Sequence, residues 1–136
     1  MWAATDPDLE KDITGSYEVS VSDNMDMVME TTRQLREFCN AHQLGAGKSF
    51  RICLAVEEIA GNIVEHGFTG KKGKHFIDLR LTLEKDGSGC LSLRDNGVKF
   101  NPLEYRNRDT QYGLAIIRGI SEKIDYHYVA SMNCLN

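Results

Sequence analysis

The stretch that decides the fold is EEIAGNIVEHG, residues 57–67. It closes a run over 49–66 in which Ile52, Val56, Ile59 and Ile63 recur every three or four residues, so the spacing predicts a helix with one apolar stripe. Gly67 stands in the position of a helix breaker. On the other side of that helix Glu58, Asn62, Glu65 and His66 follow at i, i+4, i+7 and i+8, which is expected to line up carboxylate, amide and imidazole on one face. Such a face can hold a magnesium ion through an amide oxygen and place a carboxylate as a base, because hard cations take oxygen ligands. An ordinary solvated face opposite an apolar stripe has the same appearance, so this polar face alone does not assign a function.

Upstream of this helix, Tyr17, Val19 and Val21 alternate with polar residues as in a half-buried strand. Ser22 and Asp23 then offer N-caps for a helix whose apolar positions Val28, Leu35, Phe38 and Cys39 carry it to about His42, with a stop near Gly45. The segment Gly45-Ala46-Gly47-Lys48-Ser49 looks like a phosphate-binding loop. His42 stands where that motif needs a glycine, however, and a helix precedes it where a buried strand should. It reads as a helix–helix connector, with Ser49 near the next N-cap.

Downstream, Ile77, Leu79, Leu81 and Leu83 alternate as a strand, and Asp86-Gly87 turns the chain into a second strand from Cys90 to Asp95. Leu91, Leu93 and Asp95 fall on one side, so the carboxylate ends its strand facing the core, a costly place unless a donor such as an exocyclic amine of a ligand satisfies it. Residues 96–111 lose periodicity and read as a long loop. Leu114, Ile117 and Ile120 sketch a short helix after Gly113, whose free backbone N–H groups suit a phosphate. KIDYHYVA alternates as a strand, and the final Cys134-Leu135-Asn136 reads as a stub of one more.

The chain of 136 residues is the length of one domain, with 41% hydrophobic and 26% charged residues. Residues 1–14 carry four acids and read as an acidic tail, leaving 15–136 as the domain, cut short in its last strand. A net charge of -4 argues against a nucleic-acid footprint, and no stretch approaches the ~20 apolar residues of a membrane span, so a cytoplasmic location is expected. Cys39, Cys53, Cys90 and Cys134 show no CxxC spacing and are expected to be reduced core residues. The order of elements predicts an α/β two-layer sandwich with a mixed, mainly antiparallel sheet and helices on one face.

In this order the runs EEIAGNIVEHG, DNGVKFNP and QYGLAIIRGI resemble the N, G1 and G2 boxes of the GHKL ATP-binding superfamily, the histidine-kinase-like ATPases. Strand and helix leading directly into AVEEIAGNIVEHGF look most like the bacterial anti-sigma-factor serine/threonine kinases. The resemblance implies ATP and Mg2+ as ligands, with Asn62 holding the metal and Glu58 as general base. It further implies that Asp95 accepts a hydrogen bond from the adenine amine, that Gly97 passes close to the base, and that Gly113 and Leu114 stand at the phosphates. Residues 98–111 would form a lid, with Arg106 and Arg108 able to reach phosphate oxygens. Lys99 and Gln111 stand where the family often has glycine, and the last strand, which in the family brings a polar residue near adenine, is a stub here. The activity implied is transfer of the ATP γ-phosphate to a serine of a partner, an anti-sigma-factor antagonist domain of STAS type. A sigma factor would be the competing ligand, and a homodimer is compatible with this reading. The alternative is a nucleotide-dependent regulatory module, within a larger signalling protein, that binds ATP without transfer.

Overall fold

The computed structural model describes residues 13–68, 73–99, 101, 117–119, 121, 123–129 and 132–135. Strand β1 (Ile13–Ser22) leads into helix α1 (Met25–Ala41) and helix α2 (Ala46–Asn62), which runs on as a π-helical turn, Ile63–Gly67. Strands β2 (Phe76–Glu84), β3 (Gly89–Asp95), β4 (Tyr126–Val129) and β5 (Met132–Leu135) follow. They form a five-stranded sheet in the order β1-β2-β3-β5-β4, and each pairing is antiparallel, so a mixed sheet is not found among the described residues. The α/β sandwich expected from the element order is the architecture that forms.

Alternation sets the two faces of the sheet. Ile77, Leu79, Leu81 and Leu83 of β2 are 0–4% exposed and meet Leu35, Cys39, Val56 and Ile59 of the helices in one core. On the outer face the register sets Glu18 opposite Arg80 and Asp78 opposite Arg94, and both pairs close as ion pairs, at 3.2 and 3.1 Å. Opposite charges facing across strands favour this register over its one-residue slip, which would also turn the leucines outward.

Several local expectations change. The cap of α1 is Asn24, whose side chain accepts from the Asp26 N–H at 2.8 Å; Asp23 instead meets His75 Nδ1 at 3.2 Å. Between the helices the connector is as expected, but α2 is capped by Gly45 at φ 87°, a left-handed conformation that serine resists, and Ser49 lies a turn inside, buried. The β2–β3 hairpin forms about Asp86-Gly87, with Gly87 also at φ 87°. Strand β1 starts at Ile13, two residues inside the stretch read as tail.

At the C-terminal end Met132–Leu135, which takes in Cys134 and Leu135 of the residues read as a stub, forms β5, which inserts between β3 and β4 and pairs with both. The cysteines also divide. Cys39 and Cys53 are core residues, whereas Cys134 is half-buried opposite Arg94 and Cys90 is exposed, so the expectation of four core thiols holds for two; all four are free. Cys90, second in β3, shares the outer face of the strand with Ser92 and Arg94, opposite Leu91 and Leu93, so alternation turns it away from the core.

Candidate functional site

The site is assembled where the end of α2 meets the end of β3. Asn62 closes the regular part of α2 and is 3% exposed; Glu58, one turn earlier, is half-buried. From Ile63 the hydrogen-bond pattern widens to a π turn, an arrangement frequent at functional sites. Its consequence is a change of phase. The single face expected for Glu58, Asn62, Glu65 and His66 does not persist past Asn62: Glu65 is exposed and pairs with His66, whose Nε2 lies 3.4 Å from Glu65 Oε2. Periodicity of 3.6 residues could not foresee this, because the π turn inserts an extra residue into the repeat.

The widened turn delivers Gly67 to β3. The Val98 N–H donates to the Gly67 carbonyl at 2.8 Å, and Gly97 lies against the same carbonyl so tightly that a Cβ there would stand 2.4 Å from the oxygen and 2.9 Å from Asp95 Oδ1. Glycine at 97 is therefore required by the approach of two backbones. Asn96 ties the third side: its Oδ1 accepts from Phe76 N at 2.9 Å and its Nδ2 donates to Lys74 O at 2.8 Å. The DNG run is thus the junction of three segments, where a simple hairpin turn would have led straight into a returning strand.

Asp95 is 2% exposed and shares the core face of β3 with Leu93, as alternation predicts. A ligand donor was expected to offset the burial of this acid. Protein donors already do so at one oxygen, since Oδ1 accepts from Gly97 N at 2.9 Å and from Asn133 Nδ2 at 3.0 Å. Asn133, 1% exposed on β5, was missed by the sequence reading. A signal existed: in MNCL, Asn133 and Leu135 share a face, so a polar residue sits in register with an apolar one, the same anomaly that marked Asp95 beside Leu93.

Lys99, in a position where glycine is common, is exposed and holds its ammonium 6.0 Å from the centre of the Tyr128 ring. Gly113, Leu114, Arg106, Arg108 and Gln111 lie outside the described residues. A separate groove of about 800 Å³ runs between α2 and the β2–β3 hairpin, lined by Ile52, Leu81, Leu83 and Leu91 with Lys48 at its rim; neither Asn62 nor Asp95 borders it. No described helix is long and apolar enough to cross a membrane.

Residues 21–136 match the model of the histidine kinase-like ATPase domain. The chain belongs to this family. Comparison with curated proteins finds no match. The matched span takes in every strand but most of β1, and both halves of the junction, so this histidine kinase-like ATPase domain includes β5 and Asn133. Membership brings ATP as the ligand class against which the junction is read.

Proposed function

We propose that this domain is an ATP-dependent serine kinase of the anti-sigma-factor type. The observation that carries the reading is the contact of Gly97 and Val98 with Gly67, which joins the Asn62 end of α2 to the Asp95 end of β3. Adenine would lie at Asp95, which accepts from the 6-amino group, and the phosphates would extend toward Asn62. The donor set suits magnesium: a buried amide oxygen at Asn62 with the Glu58 carboxylate one turn away are hard oxygen donors, and no cluster of three acidic, histidine or cysteine residues among those described would hold an ion alone. A magnesium ion arriving with the nucleotide neutralises phosphate charge; Asn62 would hold it.

Glu58 would accept the proton of a partner's serine as that oxygen bonds to the γ-phosphorus. The bond from γ-phosphorus to the bridging oxygen breaks and ADP leaves. Most of the rate would come from positioning and charge, as in phosphoryl transfer generally. The partner in this reading is an antagonist domain of STAS type, in competition with a sigma factor. The test is transfer of labelled γ-phosphate from ATP to a panel of such antagonist domains. Phosphoserine on one of them supports the kinase; tight ATP binding with no transfer to any moves the reading to a nucleotide-dependent binding module.

A further inference from the structure

The groove between α2 and the β2–β3 hairpin is a gap in the packing of the two layers. Its floor is the core side of the sheet at Leu81, Leu83 and Leu91, and Ile52 and Ile59 of α2 form one wall, so the interior is apolar. The hairpin is held over one end, where Lys48 Nζ donates to Gly87 O at 2.6 Å. At about 800 Å³ the space falls in the size range of clefts that hold a bound group. Its rim carries an excess of one sign. Among the described residues that line it, Lys48, Arg51 and Lys123 are basic and exposed, and Asp125 is the one acid, in a chain whose net charge is -4. The occupant that fits has apolar side chains for the floor and carboxylates for the rim.

The chain itself carries such a segment, and the sheet starts it beside the groove. Residues 1–12, outside the described residues, contain Trp2 and Leu9, and Asp6, Asp8, Glu10 and Asp12 against a single base, Lys11. They join β1 at Ile13, which the register sets opposite Glu84, the last residue of β2. Gly87, Ser88 and Gly89 of the hairpin that follows Glu84 line the groove. Twelve residues extend to at most ~40 Å, longer than the ~20 Å across a five-stranded sheet, so reach is no obstacle. A tether this short holds the segment at millimolar effective concentration, and modest contacts are then enough to seat it. We propose that residues 1–12 dock in cis in this groove, with Trp2 and Leu9 on the leucine floor and the acids toward Lys48, Arg51 and Lys123. Neither Asn62 nor Asp95 borders the groove, so the docked segment covers apolar surface without entering the nucleotide junction.

Trp2 is the only tryptophan of the chain, so its fluorescence reads the segment directly. In the full 136-residue chain its emission should lie to the blue of that of a synthetic peptide of residues 1–12, and its quenching by acrylamide should be several-fold weaker. The double substitution Arg51→Glu/Lys123→Glu, at two exposed positions, should bring both readings most of the way to those of the peptide. Salt at about 1 M, which cuts the screening length to ~3 Å, should move wild type in the same direction. If the double variant does not fold, the salt series on wild type decides. Trp2 as open to acrylamide as in the peptide overturns the docking. Protection that ignores both charge reversal and salt places Trp2 elsewhere and overturns the assignment to this groove. Protection that appears only as protein concentration rises, with a dimer by light scattering, gives the groove to the segment of a second copy and overturns docking in cis.

Discussion

Replacing Gly97 by alanine tests the junction on which the site depends. The added methyl would sit 2.4 Å from Gly67 O and 2.9 Å from Asp95 Oδ1. Both neighbours are constrained: the carbonyl is backbone, and the carboxylate is held by the Gly97 N–H and by Asn133. Reaching even a tight 3.0 Å contact requires the carbonyl and residue 97 to part by about 0.6 Å. A comparable displacement of the neighbouring Val98 N–H, now 2.8 Å from that carbonyl, takes the hydrogen bond to roughly 3.4 Å, beyond the useful range. The lost bond costs about 0.5–1.5 kcal/mol and the forced repacking about 1–3 kcal/mol, so about 1.5–4.5 kcal/mol in all. At the entropy of unfolding usual for a chain of this length, Tm should fall by roughly 5–16 °C. Differential scanning calorimetry reads the stability and titration calorimetry the ATP affinity, which should drop together. A Gly97→Ala protein with Tm within about 1 °C of wild type and unaltered ATP affinity would falsify the tight approach of Gly67 and Gly97.

Four further outcomes are expected. Asp95→Asn exchanges an acceptor for an amide and should weaken ATP by about 1.5–3 kcal/mol, some ten- to hundredfold, by titration calorimetry; equal affinity would remove Asp95 from the adenine end. Glu58→Gln should leave ATP affinity close to wild type but slow transfer to an antagonist domain by about 10²–10⁴-fold in a labelled-phosphate assay, and an unchanged rate would show that Glu58 is not the base. A disulfide exchange reagent at pH 8 should label exposed Cys90 first and reach Cys39 and Cys53 only in denaturant, whereas uniform fast labelling would contradict their burial. Burial pushes the Cys39 thiol from its ordinary 9.0 up to about 11, so the neutral form is favoured in the fold. Its contribution to stability is then complete below pH 9.0 and lost as pH rises toward 11, which urea titrations across that window would register.

The sequence by itself determined the elements and their faces. Isoleucines spaced for a helix in α2 and leucines alternating in β2 and β3 each have one arrangement that buries them, and that arrangement also carries Asp95 inward. The order of the motifs was enough to point to the histidine kinase-like ATPase family, and two of them lie at the ends of α2 and β3, which local periodicity locates. What tertiary structure alone decided is how those ends meet. The π turn breaks the phase that sequence spacing assumes, and it occurs where Gly67 closes against Gly97 and Val98, a contact between residues 30 apart in the chain. Likewise β5 is too short for its alternation to be persuasive, and its place between β3 and β4 comes from backbone pairing, which any sequence of suitable shape can supply. Asn133 gains its meaning only there, because a buried amide is interpretable once the donor and acceptors around it are known, and those come from strands seven and nearly forty residues away.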